Sequence, residues 1–256
     1  MSTEQSATVV AYGGGVNSTA MLVGLRERGE RPDAIVFADT GGERPETYKH
    51  LDAVRDWCRK VGFPDLVTVR ATYQGEVETL EGNCHRIGAL PSLAYGFKKC
   101  SQKFKHAPSD KWCRNAFPKG DIVKLIGFDT DESHRADRAP ARRDRFVFRC
   151  PLLEWGWSRA DCVTAIKRSE LEVPGKSSCF FCPAMTVREI RALPCDLKAR
   201  ALAIEDAAKP NLRPGGVVGL GRRFSWRTLL ESDAAQGDLF TPPEACECYD
   251  GGPSDE

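Results

Sequence analysis

Thr8–Arg28 reads TVVAYGGGVNSTAMLVGLRER, and this stretch decides the fold. Thr8–Tyr12 is a short apolar run rich in β-branched residues, the signature of a buried strand. Gly13, Gly14 and Gly15 follow at once, and Ser18–Arg28 has helical composition, with Gly29 at its end. A strand that enters three glycines and then a hydroxyl-bearing helix start is built to hold an anion. Glycines let the backbone approach closely and take positive φ, and the free N–H groups of a helix start favour phosphate. No Gly-Lys-Ser/Thr closes the loop, so it is not a Walker loop, and GxGxxG is absent. A tight strand-to-helix turn capped by Ser18 is the plainer alternative.

The pattern repeats outward from this stretch. Asp33–Ala38 is a second strand, closed by Asp39-Thr40-Gly41-Gly42, and Pro45–Lys60 is a helix. Asp65–Arg70 is a third strand, and Ile122–Phe128 a fourth, closed by Asp129-Thr130-Asp131-Glu132. Strand and helix alternate at βαβ spacing, which predicts an α/β, Rossmann-like, mostly parallel sheet with helices on both faces. Ligands of such sheets bind beyond the carboxyl ends of the strands, where each of these loops lies. Residues 151–235 read as a helical region, with helices at Arg159–Ser169, Thr186–Leu193 and Leu197–Lys209. The expected organisation is thus a nucleotide-binding domain over 1–150 with a basic insertion at 72–118, a helical region over 151–235 carrying a CxxC, and a flexible tail over 236–256.

Composition narrows the function. Of 256 residues, 41% are hydrophobic and 29% charged, as in an ordinary globular protein. No apolar run is long enough to span a bilayer, and the N-terminus shows no secretory pattern, so a cytoplasmic, reducing setting is expected. In that setting the 11 cysteines point to metal binding or reactivity rather than disulfides. The net charge of +1 hides a segregation. Residues 98–149 hold 14 Lys+Arg against 7 Asp+Glu, a net of +7, which leaves −6 for the rest. One knot is Phe97–Arg114, and the other is Arg135, Arg138, Arg142, Arg143, Arg145 and Arg149. A solvated face would explain one such run; two favour a polyanion or a phosphate-rich ligand.

The glycine loop resembles the PP-loop, SGGxDS, of ATP pyrophosphatases and phosphoadenylyl-sulfate (PAPS) reductases, the adenine nucleotide alpha hydrolase superfamily. Here it is Gly13-Gly14-Gly15-Val16-Asn17-Ser18. Gly14, Gly15 and Ser18 match; Gly13 stands for the serine and Asn17 for the aspartate, whose carboxylate would help hold Mg2+. Val36–Thr47 (VFADTGGERPET) resembles the family's DTG loop, and Leu125–Arg135 its strand and Glu/Arg loop. Cys100–Pro108 (CSQKFKHAP) is similar to the family's cysteine–lysine–proline stretch, and Pro151–Cys162 to its Pro-Leu-x-x-Trp segment.

The resemblance implies an adenine nucleotide, ATP or an adenylyl-sulfate type, held by Gly13–Ser18 together with Asp39, Thr40 and Gly41. It implies Ser18, Asn17, Lys103 and Arg135 as the catalytic set. Cys179-Phe180-Phe181-Cys182-Pro183 is a CxxC, which alone could be a redox dithiol, half a zinc site or part of a cluster site. By resemblance, Cys100, Cys179 and Cys182 hold an iron–sulfur cluster, of 4Fe-4S type. Its fourth ligand would be Cys84, Cys113, Cys195 or Cys248, or none. Cys58, Cys150 and Cys162 read as packed thiols. The tail offers Cys246 and Cys248 instead of the reductases' ECGxH.

Three functions follow. The first is ATP-dependent activation and sulfur transfer to a nucleic acid or another anionic acceptor, served by a sulfur-donor or reductant protein. The second is a PAPS or adenylyl-sulfate reductase that releases sulfite. The third is a non-catalytic nucleotide-binding or iron–sulfur accessory protein. His50 reads as a surface helix residue, and His85, His106 and His134 as neighbours of phosphate or substrate.

Overall fold

The computed structural model describes residues 6–137 and 141–240. Arg138, Cys246 and Cys248 lie outside the described residues. The chain divides into two compact units, residues 1–79 with 101–179 and residues 80–100 with 180–256.

The first unit is a six-stranded α/β sheet. Its strands are β1 (Ala7–Tyr12), β2 (Ala34–Asp39), β3 (Leu66–Arg70), β6 (Ile122–Ile126), β7 (Arg142–Arg143) and β8 (Phe146–Arg149), in the order β3-β2-β1-β6-β8-β7. A separate hairpin pairs β4 (Thr72–Tyr73) with β5 (Glu76–Val77). The first five strands in that order pair in parallel, and only β7 runs antiparallel, at the edge. β2 is buried along its whole length, as an interior strand of a parallel sheet must be. Strand order reverses between β1 and β6, so their carboxyl ends flank the crevice in which such sheets bind ligands.

Alternation along β1 divides the core between the two faces. Val10 and Tyr12 face α1 (Val16–Glu27), α2 (Pro45–Lys60) and the helix Arg159–Arg168, among Met21, Leu22, Phe37, Trp57 and Ile166. Val9 faces the other side, with Val36, Ile122, Phe146 and Cys113 of the helix Ala107–Ala116. Helices therefore cover both faces. The strand Phe146–Arg149 and its edge partner escaped the sequence reading, because three of their six residues are arginines of the basic run.

The second unit is helical, with Leu80–Ile87, Cys195–Ala208 and Trp226–Phe240 as its longer helices. Its buried Glu205 accepts hydrogen bonds from the N–H groups of Leu220 (2.7 Å) and Trp226 (2.9 Å) and from Ser225 Oγ (2.7 Å). One carboxylate thus ties the helix start at Trp226 to Cys195–Ala208. No described helix is long and apolar enough to cross a membrane.

Two local readings are corrected. α1 starts at Val16 rather than Ser18, because Gly15 is its N-cap; the Ser18 hydroxyl turns back to the Gly15 carbonyl at 3.1 Å. His50 is buried rather than on the surface. Thr47, His50, Leu51, Val54, Trp57 and Cys58 recur at helical spacing and form the inward stripe of α2. His50 Nε2 meets Thr19 Oγ1 at 3.0 Å, and Thr19 in turn meets the Tyr12 hydroxyl at 2.9 Å.

Burial holds the His50 imidazole below its ordinary pKa, against a weaker opposing pull from Glu172. The unfolded chain therefore binds a proton there that the folded chain resists. This contribution to stability is complete above the unfolded pKa of about 6.5 and is lost as pH falls below it. Chemical denaturation from about pH 7.5 to about pH 5.5 should show unfolding free energy declining, with a shallower slope in His50→Gln. Equal slopes would mean that His50 is not held neutral.

Candidate functional site: the glycine-loop crevice

The glycine loop leaves β1 at Tyr12 and enters α1 at Val16. Gly14 has φ +73°, and a Cβ there would lie 3.0 Å from Thr47 Cγ2. Gly15 caps α1 without any side-chain cap, and the first turn has no acidic residue. The opening N–H groups of the helix therefore keep their positive end for an anion. A small cavity of about 100 Å³ lies against Gly14, walled by Arg44, Glu46, Thr47 and the segment Pro174–Lys176. Ser177 packs over the loop, its Oγ 3.1 Å from where a Gly15 Cβ would stand. Two cationic side chains, Arg44 and Lys176, thus border the glycine loop. The sequence reading missed both; Arg44 was inside the quoted DTG segment, but nothing marked Lys176.

Next to Gly13 opens a larger cavity of about 340 Å³, lined largely by apolar groups. Its walls include Ala11–Gly13 at the end of β1, Val36–Ala38 of β2, and Ile126 at the end of β6 with Phe128 after it. Its polar side carries Lys105, His106, Asp110, Lys124 and Arg143. Lys124 donates to Asp110 (2.5 Å) and Ser109 (3.1 Å), and Arg143 pairs with the same carboxylate. His106 closes a π-turn spanning Gln102–His106. Burial lowers its pKa; Asp110 opposes the shift, and Lys124, Arg143 and Lys105 add to it.

Across the crevice, Gly127 follows β6 and touches the start of α1. A Cβ there would be 3.1 Å from Asn17 C, Asn17 O and Ser18 N. This contact ends β6 at Ile126, two residues before the sequence reading placed its end. Asn17 is buried, and both ends of its amide are used. Its Nδ2 donates to Glu132 Oε2 (3.1 Å), and its Oδ1 accepts from Arg159 Nη1 (2.7 Å). Glu132 also pairs with Arg135, whose guanidinium lies 4.6 Å from the Phe128 ring centre.

The DTG residues turn their polar groups inward. Asp39 accepts from Gly41 N–H (2.8 Å), the Tyr48 hydroxyl (2.8 Å) and Arg70 (2.9 Å). Thr40 Oγ1 donates to Glu43 Oε1 (3.3 Å) and lies 3.2 Å from Cys179 Sγ. Glu43 Oε1 also accepts from Lys105 (2.9 Å), while its buried Oε2 has no hydrogen-bond partner among the described residues. Lys103 pairs with Glu78 at 3.0 Å.

The cysteines separate by burial. Cys58 and Cys162 are wholly buried, and burial pushes both thiols up to about 12. Cys113 and Cys84 are buried as well, and Cys195 is exposed. Cys100, Cys179 and Cys182 are partly accessible. Cys179 closes the first unit, and Cys100 and Cys182 belong to the second. A partly accessible thiol can, by its chemistry, ligate iron as a thiolate. However, no group of three or more His, Cys, Asp or Glu side chains stands together as a metal site among the described residues.

The basic segment is mostly self-neutralised. Arg114 pairs with Asp144, Arg142 with Asp121, Arg143 with Asp110, and Arg149 with Glu154. Arg145 donates to the carbonyls of Gly120 and Phe117. The arginine run thus braces the β7–β8 edge more than it presents free charge.

No family model matches the chain. A curated relative, the uncharacterized nin region protein ORF290 of Escherichia phage lambda, is 25% identical over 202 residues, covering 71% of this chain and 67% of the relative. Among solved structures, the U34-tRNA thiolase NcsA from Methanococcus maripaludis with its [4Fe-4S] cluster is similar at a TM-score of 0.45 and 13% identity, covering 98% of this chain and 78% of that one.

The Asn17 amide has a direct test. Asn17→Asp sets two carboxylates within hydrogen-bond distance of each other, which raises the pKa of one of them. The variant should lose about 1–2 kcal/mol at mildly alkaline pH and recover part of it on acidification, relative to wild type. Denaturant titration at both pH values measures this. A pH-independent change would refute the pairing.

Proposed function

We propose that this chain is a PP-loop type ATP-binding enzyme that activates an acceptor oxygen as an adenylate and replaces it with sulfur. The observation that carries the reading is the uncapped start of α1 at the β1/β6 switch point, set between Arg44 and Lys176 on one side and an apolar cavity on the other. The cavity suits the flat base of an adenine nucleotide, and the glycine loop with its two cations suits the phosphates. In the proposed reaction an oxygen of the acceptor attacks the α-phosphorus. The bond to pyrophosphate breaks with its electron pair leaving on pyrophosphate; a hydrosulfide from a sulfur donor then attacks the acceptor carbon, and its C–O bond breaks with the electron pair leaving on AMP.

The residues of the crevice divide this work. Gly14 and Gly15 bring backbone N–H groups to the phosphates, and Arg44 and Lys176 offset the charge that develops on the leaving group. Arg135, at the mouth of the β6 loop, supplies a further cation, and Mg2+ would enter with the nucleotide. Asp39 and Thr40 act by holding the DTG loop in shape, and Ser18 by fixing the loop carbonyl at Gly15. Lys103 acts through Glu78. Asn17 replaces a metal-ligating carboxylate with an amide matched to Glu132 and Arg159. Cys100, Cys179 and Cys182 are proposed as the ligands of an iron–sulfur cluster that would supply the sulfur chemistry; no step above is routed through it. A nucleic acid is the proposed acceptor.

Calorimetry of anaerobically purified protein with ATP tests the reading. Wild type should bind, and Gly14→Val should lose binding by at least about tenfold, while a far-UV spectrum like that of wild type shows the fold retained. Unchanged ATP affinity in Gly14→Val would rule out the glycine-loop site. In the same preparation, visible absorbance that survives Cys179→Ala, or its absence from wild type, would rule out the cluster.

A further inference from the structure

The second unit carries a surface of its own. Tyr95–Lys99 is exposed at every position: Tyr95 is 38% and Phe97 60% accessible, and Gly96, Lys98 and Lys99 are open as well. An aromatic residue this exposed is unusual, and here two lie within three positions beside two lysines. The turn is nevertheless fixed. Ser92–Tyr95 is a 3-10 turn ended by Gly96 at φ +86°, and the N–H groups of Gly96 and Phe97 donate to Leu93 O and Ser92 O, each at 3.0 Å. The left-handed glycine turns the chain outward at Phe97. The Ser92 hydroxyl also accepts from Cys100 N–H at 2.7 Å, which ties the thiol-bearing residue to the same turn.

The two lysines of this turn, Lys98 and Lys99, like Lys111 and Lys119, stand without a carboxylate partner among the described residues, whereas Lys103, Lys105 and Lys124 each meet a carboxylate. Lys99 Nζ lies 5.9 Å from the Phe97 ring centre, so a cation and a π-face are presented together. A flat ring on a rigid turn, with unpaired lysines beside it, fits a stacked base and its neighbouring phosphates. Duplex nucleic acid hides its base faces and offers only the phosphates.

We propose that Tyr95–Lys99 is a stacking platform for single-stranded nucleic acid, with Phe97 against a base and Lys98 and Lys99 on the backbone. It names the form of the acceptor and so rests on the nucleic-acid part of the proposed function. A single strand suits that chemistry, because an unpaired base can present its edge to reacting groups while a paired base cannot.

The probe is fluorescence anisotropy with labelled 12-residue oligouridylate, the oligothymidylate of equal length and a 12-base-pair duplex, each titrated with the full chain. Wild type should bind the single strands more tightly than the duplex. Phe97→Ala should weaken single-strand binding roughly tenfold and leave the duplex within about twofold, while Phe97→Trp restores it. Lys98→Ala with Lys99→Ala should reduce the salt dependence on all three probes. The ribose and deoxyribose arms report which nucleic acid is held. Equal affinity of Phe97→Ala and wild type for single strands, failure of Phe97→Trp to restore binding, or no single-strand binding by wild type would overturn the proposal. Calorimetry with ATP on the same proteins is read separately: ATP binding with no platform effect removes only the platform, and loss of ATP binding removes the enzyme reading.

Discussion

The amide of Asn17 is the contact on which the crevice depends. It joins the first turn of α1 to Glu132 after β6 and to Arg159 at the start of a later helix, partners 115 and 142 residues away. A neutral amide can serve both, because it donates at one end and accepts at the other. A carboxylate in that place would suit Arg159 and oppose Glu132. Gly127 makes the arrangement possible by letting the β6 loop approach the α1 backbone to a distance that a side chain would obstruct. The helix start is thereby aimed at the switch point, and its N–H groups are kept there without a side-chain cap.

Around that start the charges are arranged by depth. Asp39, Glu43, Asp110 and Lys124 are buried, and each has a charged partner. Removing one partner of such a pair leaves an uncompensated charge, so the pairs fix geometry more than they add stability. Asp39 does so for the DTG loop through Arg70, Tyr48 and Gly41 N–H. Nearer the surface, the arginines of the β7–β8 edge are met by Asp121, Glu154 and backbone carbonyls. The lysines at 98 and 99 lack such partners and stand beside exposed aromatic rings. The net basic charge of the segment is real, but folding pairs most of it and leaves Lys98 and Lys99 among its unpaired part.

Much of the fold was legible because parallel strands are apolar throughout and are punctuated by glycine and aspartate. β1, β2 and β3 and the helix Pro45–Lys60 all read correctly to within a residue or so at their ends. The β7–β8 pair did not, since charge masked its strand character. By polarity alone His50 reads as a surface residue, but its place in the apolar stripe of α2 buries it. Asn17 stands out in the glycine loop, but its partners Glu132 and Arg159 were not legible, because long-range pairing leaves no local pattern. Lys176 gave no signal at all: its position against Gly14 is a product of tertiary folding. Cys58 and Cys162 read correctly as packed thiols, whereas Cys150, read the same way, is only half-buried.

The central claim is that the uncapped start of α1 receives the phosphates of an adenine nucleotide. Hydrogen exchange of backbone amides, with and without ATP and Mg2+, reads that surface directly. The account predicts slowed exchange at Gly14–Ser18 and in the Val36–Ala38 wall of the cavity, with little change along the β7–β8 edge. Unaltered exchange at Gly14–Ser18 under saturating ATP, or protection confined to another part of the chain, would contradict it.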